Sequence, residues 1–145
     1  MSLKTSLCAA VAALSLSFPA LAQESSYTQG SVWFFSSIQV EPGQFENYMD
    51  YLSTNWKKVK ELGKKEGVVV SYHVLSVNAQ RTGEPDLILA VESKDYRTKA
   101  QAEAFQKKIE ALLAADARQQ TTASGQRGTM RKLLGNMELQ ELLLK

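Results

Sequence analysis

Histidine and cysteine each occur once in this 145-residue chain, as His73 and Cys8, and that scarcity removes whole classes of chemistry. Zinc sites are assembled from several His and Cys ligands, so none of the usual kind can form. No second cysteine is present to close a disulfide within the chain. Acidic and basic side chains nearly balance, 15 against 17, and the concentrated positive face of a dedicated nucleic-acid binder is missing. No apolar stretch reaches the roughly 20 residues that a membrane-spanning helix needs. A strand-linked phosphate loop and a Gly-x-Ser-x-Gly elbow are also absent. Ser31 and Ser124-Gly125 have no histidine placed by sequence to activate them, which excludes a serine hydrolase of the ordinary type.

What is present begins with a segment unlike the rest. In the first 22 residues Lys4 is the sole charge, Leu7 to Leu16 form an apolar run, and Phe18-Pro19 precedes Ala20-Leu21-Ala22. A positive start, a short apolar middle and small residues before a cut make a secretory signal, with cleavage expected after Ala22. Cys8 lies inside the apolar run rather than at its end, so a lipoprotein reading fails. Export to the periplasm or beyond is expected, and the mature chain would carry no thiol at all. Of 145 residues, removing 22 leaves 123, enough for one core and too few for two. The 17 basic residues lose only Lys4, leaving 16 against 15 acidic ones. Residues 23 to 30 are polar and read as a mobile leader.

From Ser31 onward the pattern predicts six elements. Ser31 to Val40 is rich in aromatic and β-branched residues and reads as a strand. Pro42-Gly43 leads into a helix from about Gln44 to Leu62, with Phe45, Met49, Leu52, Trp56 and Val59 on one stripe and Gly63 as its stop. Val68 to Val77 and Asp86 to Glu92 read as an antiparallel pair of strands around the turn Asn78 to Pro85. A second helix is expected from about Thr98 to Ala117, with Ala102, Phe105, Ile109, Leu112 and Leu113 on its apolar face. Gln119 to Gly128 reads as a loop, residues 129 to 135 as a short helical turn, and Glu138 to Lys145 as a closing strand. This order predicts an α+β, ferredoxin-like βαββαβ domain over residues 31 to 145. Its four-stranded antiparallel sheet would carry two helices on one face. The first two strands are apolar on both faces, and one face would lack helices to cover it. A second copy of the chain is the simplest cover, so a homodimer is expected.

Val40-Glu41-Pro42-Gly43 followed by Phe45 and Tyr48, together with the element order, resembles the dimeric α/β-barrel superfamily, antibiotic-biosynthesis-monooxygenase-like. The chain is also similar to small exported bacterial proteins of unknown function that end in an arginine, a Leu-Gly pair and a Leu-rich strand. Here these would be Arg131, Leu134-Gly135 and Leu142 to Leu144. The superfamily includes cofactor-free quinone-forming monooxygenases, haem-degrading monooxygenases, muconolactone isomerases, chlorite dismutase-like haem proteins and stress-response proteins. The resemblance therefore implies a dimeric barrel without choosing an activity. Haem-degrading members use an Asn, a Trp and a His. In this chain Ser36 and Ser37 stand where that Asn belongs, and His73 falls in the middle of strand two instead of near the second helix. Those roles are not carried over.

The expected activity is binding of a small apolar or aromatic molecule, in a pocket between sheet and helices or within the barrel. Trp33, Ser71 and His73 share the more polar sheet faces and are the expected ligand-binding residues. Histidine is the side chain that ordinarily changes charge near neutral pH. His73 is accordingly the candidate catalytic base if the protein is a cofactor-independent monooxygenase or isomerase. No cofactor is expected. In the alternative of a haem-binding protein, His73 would be the axial ligand, and a ligand-free structural or stress-response dimer is the remaining reading. Trp56 falls on the helical core stripe, Tyr72 between sheet and helix, and Tyr51 off the stripe in an exposed position. Lys57, Lys58, Lys60, Lys64 and Lys65 read as a solvated helix end. Arg127, Arg131 and Lys132 read as part of a flexible polar connection, with an anion site as the functional alternative.

Overall fold

The computed structural model describes residues 24–78 and 81–145, so the expected signal segment, residues 1 to 22, lies outside the described residues. The elements run β1 (Tyr27–Val40), α1 (Phe45–Tyr51), a π turn (Leu52–Trp56), α2 (Lys57–Lys65), β2 (Val69–Ser76) and β3 (Leu87–Ser93). Then come α3 (Lys99–Leu113), α4 (Ala117–Gln126), a 3-10 turn (Arg127–Thr129) and β4 (Arg131–Leu144). All pairings are antiparallel and the strand order is β2-β3-β1-β4. That order is the ferredoxin-like one, and the expected α+β sheet is present.

Several boundaries differ from the sequence expectation, each for a local reason. Tyr27 to Gly30, expected in a polar leader, belong to β1 because Tyr27, Thr28 and Gln29 pair with Leu144, Leu143 and Leu142. The closing strand is correspondingly longer than 138 to 145. It starts at Arg131, where a helical turn was expected, and a register shift opposite Ser37 and Ile38 absorbs the irregular Leu133–Gly135 stretch. The expected loop 119 to 128 is mostly helix α4. Asp116 caps it by accepting from the Gln119 N–H at 2.8 Å, and the Gln119 side chain accepts from the Asp116 N–H at 2.8 Å. A polar composition hid that capping box.

The first helix also runs past its expected stop. Gly63 is buried inside α2, and the helix ends instead at Glu66 and Gly67, whose φ is +69°. The Gly67 N–H donates to the Lys64 carbonyl at 3.0 Å and the Val68 N–H to the Gly63 carbonyl at 2.9 Å. This pair of bonds satisfies the last carbonyls of the helix, and glycine adopts the left-handed conformation it needs without strain.

The core lies between sheet and helices. Ile38, Tyr48, Leu52, Leu87 and Leu89 form its buried cluster, with Met49, Tyr51, Trp56, Val74 and Met130 packed around them. A register shift in β2 between Val69 and Ser71 alters the strand's alternation. Val69 and Tyr72 therefore both turn toward the helices, whereas a strict period of two had put Val70 there; Val70 is exposed.

Candidate functional site

The helix Phe45–Lys65 is α-helical at both ends and π-helical over Leu52–Trp56. A π turn carries an additional residue in its ring, so side chains after it rotate relative to a continuous α-helix. Such single turns recur at functional sites. Here the turn ends at Trp56, and around Trp56 the sheet–helix interface is incompletely filled. Three cavities, of about 410, 180 and 170 Å³, each include Trp56 in their walls. The largest lies among α2, α3 and α4 and includes Ile109, Leu113 and Gln120. The second opens over β1 and β3 beside Phe34, Val91 and Phe105. The third is bounded by Ser36, Tyr48, Tyr51, Arg127, Arg131 and Asn136.

Cations line these cavities and carboxylates do not. Lys58, Lys60 and Arg127 border the first, Lys60 and Arg97 the second, and Arg127 and Arg131 the third. Among the described residues, ion pairs join Arg81 to Glu84, Lys99 to Glu103, Lys108 to Glu66 and Lys145 to Glu24, so none involves these cations. The Nε atoms of Arg127 and Arg131 are buried without a hydrogen-bond partner. The Arg127 guanidinium lies 4.6 Å from the centre of the Tyr51 ring, and Tyr51 stacks on Tyr48 with centroids 6.0 Å apart. Burial raises the Tyr48 pKa above its ordinary 10.0, and this outweighs the nearby Arg131 and Arg127, which pull it down. Tyr48 is thus a neutral phenol at physiological pH and able to donate a proton to a hydrogen bond. On the floor, the Ser36 hydroxyl donates to Asn136 Oδ1 at 2.8 Å.

Lys60 departs from the solvated helix end expected of its neighbours. Lys57, Lys58, Lys64 and Lys65 are exposed, but Lys60 is half-buried with its Nζ 5.4 Å from the Trp56 ring centre. Desolvation, and then the positive charge of Arg97, lower its pKa below 10.5. The sign follows from linkage. A lysine whose pKa is depressed by folding costs stability at any pH below its unfolded pKa. Stability should rise as pH climbs from the folded pKa toward 10.5. Lys60→Met is expected to stabilise the protein at neutral pH by roughly 1 kcal/mol or more, as replacement of buried ions by apolar side chains often does. It should also flatten that alkaline rise, and urea unfolding curves between pH 7 and 10 would show both effects.

The residues singled out in the sequence fall elsewhere. Trp33, Ser71 and His73 come together on the sheet face that no helix covers. Trp33 stacks on Phe35 with centroids 6.0 Å apart, and the Ser71 hydroxyl donates to Glu92 Oε2 at 2.7 Å. Trp33 and Ser71 both sit opposite Glu92, while His73 is exposed opposite Ala90. His73 borders none of the three cavities described above. Tyr51, expected off the stripe and exposed, is half-buried in the cavity wall, and Phe45, expected in the core, is 46% exposed. Arg127 and Arg131, expected in a flexible connection, are held by the 3-10 turn and the start of β4. One sequence signal did point to them: residues 117 to 137 contain Arg118, Arg127, Arg131 and Lys132 but no acidic residue. No group of three or more His, Cys, Asp or Glu side chains suited to a metal ion occurs among the described residues.

No protein-family profile matches the chain, and no curated protein matches it significantly. Solved structures do align with much of it. HapK from Hahella chejuensis aligns over 76% of this chain and 91% of its own, with a TM-score of 0.49 and 10% identity. A protein from Shewanella loihica PV-4, whose description proposes a monooxygenase, covers 81% and 96% with a TM-score of 0.40 and 12% identity. PA3566 from Pseudomonas aeruginosa covers 80% and 96% with a TM-score of 0.39 and 15% identity. These likenesses concern the arrangement of strands and helices, and no residue role is transferred from them.

Proposed function

We propose that this protein is an exported homodimer that binds a small aromatic molecule between its sheet and helices, with Trp56 as the ring against which the ligand packs. The observation that carries this reading is the convergence of three cavities on Trp56 at the end of a π turn. Ligand sites are typically concave and mostly apolar with a few polar groups that fix orientation. Tyr48, Tyr51, Leu89 and Trp56 supply the apolar walls, and Ser36 and Asn136 supply polarity at the floor. Dimerisation is proposed through the uncovered sheet face. Export is proposed from the N-terminal signal pattern.

Saturation-transfer NMR with benzyl alcohol tests the site. Transfer to the ligand is expected with the wild-type protein and with Trp33→Leu, and is expected to disappear in Trp56→Leu. Thermal melting of each variant would confirm that the fold persists. Transfer that survives in Trp56→Leu and is lost in Trp33→Leu would overturn this site and move binding to the uncovered sheet face.

A further inference from the structure

We infer that the ligand of the Trp56 cavity carries a carboxylate, held by the guanidinium groups of Arg127 and Arg131. This inference rests on the proposal that the cavity binds an aromatic molecule, and it adds the charge and the anchoring end. The 170 Å³ lobe is rich in donors and poor in acceptors. Arg127 and Arg131 can only donate; the Arg131 side chain is hydrogen-bonded to the Tyr48 hydroxyl, and among the described residues no ion pair holds either guanidinium. Tyr48 is a neutral phenol. Asn136 already uses its carbonyl oxygen for Ser36, so what it can offer a ligand is its N–H₂ group. No carboxylate borders the lobe to balance two positive charges.

A cavity walled by two guanidinium charges with no carboxylate beside them favours an anion that arrives from outside. A carboxylate meets that need. Its two oxygens match two parallel N–H groups of a guanidinium in a two-bond arrangement. Arg127 lies over the Tyr51 ring, which holds one guanidinium in place in advance and limits the freedom lost on binding. The volume sets the size of the rest. An apolar cavity of about 150 Å³ admits benzene, so a lobe of 170 Å³ suits a single ring bearing one acid group. Cationic ligands are excluded by the same charges.

Calorimetric titration of the purified protein with benzoate, benzamide and inorganic phosphate separates the charge from the ring. Benzoate and benzamide share shape and differ in charge, so benzoate is expected to bind at least roughly tenfold tighter, the worth of hydrogen bonds to a charged group. Arg131→Gln should bring benzoate down to near the affinity of benzamide. The wild-type comparison stands by itself if that variant fails to fold. Equal affinities for benzoate and benzamide would overturn the carboxylate inference while leaving the aromatic reading intact. Phosphate binding as tightly as benzoate, with no gain from the ring, would support the anion site and overturn the aromatic reading. Binding of none of the three would overturn both.

Discussion

Replacing Met137 and Leu139 together by aspartate is expected to convert the protein from a two-chain to a one-chain species without unfolding it. Both side chains project from the uncovered face of the sheet, 57% and 45% exposed, and Leu75 on the same face is 45% exposed. Pairing places them in continuous rows: Met137 beside Phe35, Ala90 and His73, and Leu139 beside Trp33, Glu92 and Ser71. A monomer seldom leaves such a contiguous apolar surface in water, and a second copy covers it by two-fold symmetry. In that arrangement two substitutions per chain place four carboxylates in one interface. Burying an unpaired charge costs several kcal/mol, far more than the substitutions cost a monomer at exposed positions. Sedimentation velocity reads the outcome directly. A wild-type protein that already sediments as a single chain would refute the proposed dimer.

The second large effect concerns Gly63. By helix propensity alone, Gly63→Ala should stabilise an interior helical position by about 1 kcal/mol. The expected result is the reverse. A Cβ built at Gly63 would lie 2.5 Å from Val69 Cγ2 and 3.2 Å from Val69 Cβ. Valine is branched at Cβ and cannot rotate its methyl groups away freely, and its strand is tied to β3. Overpacking of this kind costs about 1–3 kcal/mol, so net destabilisation is expected in chemical denaturation. Adding Val69→Ala should restore most of the loss, and a double-mutant cycle would show the strong coupling. Additive effects of the two substitutions would mean that α2 and β2 do not press together at this point.

The element order was legible because most strands and helices announce themselves by alternation, by a 3-4 spacing or by turn residues. Val32, Ile38, Leu87 and Leu89 reach the core as their alternation requires. What alternation could not reveal is where the period breaks. The shift between Val69 and Ser71 changes which residues of β2 face the helices, and the π turn at Leu52–Trp56 changes which residues of the helix face the sheet. Those two irregularities decide the site. Lys60, after the π turn, lies inward. A reading at constant period assigns Trp56 to a filled core, whereas the structure leaves space around it. Capping also mattered: Asp116 and Gln119 turn a polar stretch into α4, and with it Arg127 and Arg131 acquire fixed positions. Arginines that lack acids nearby in sequence were also legible, since residues 117 to 137 contain no acidic residue.

The pairing of β1 with β4 has a consequence for how the chain comes to be folded. Twelve residue pairs, from Tyr27 with Leu144 to Val40 with Arg131, join segments separated by more than a hundred residues at one end of the ladder. The Lys145 N–H donates to the Ser26 carbonyl, closing the same seam. Contacts between segments so distant in sequence form late and slowly. A chain on which residues 131 to 144 have not yet emerged holds β1 as an open edge, with Trp33, Phe34 and Phe35 at its centre. Such an intermediate is prone to pair with the wrong strand. It is also unable to lock itself shut, so the polypeptide stays threadable until its last strand is available.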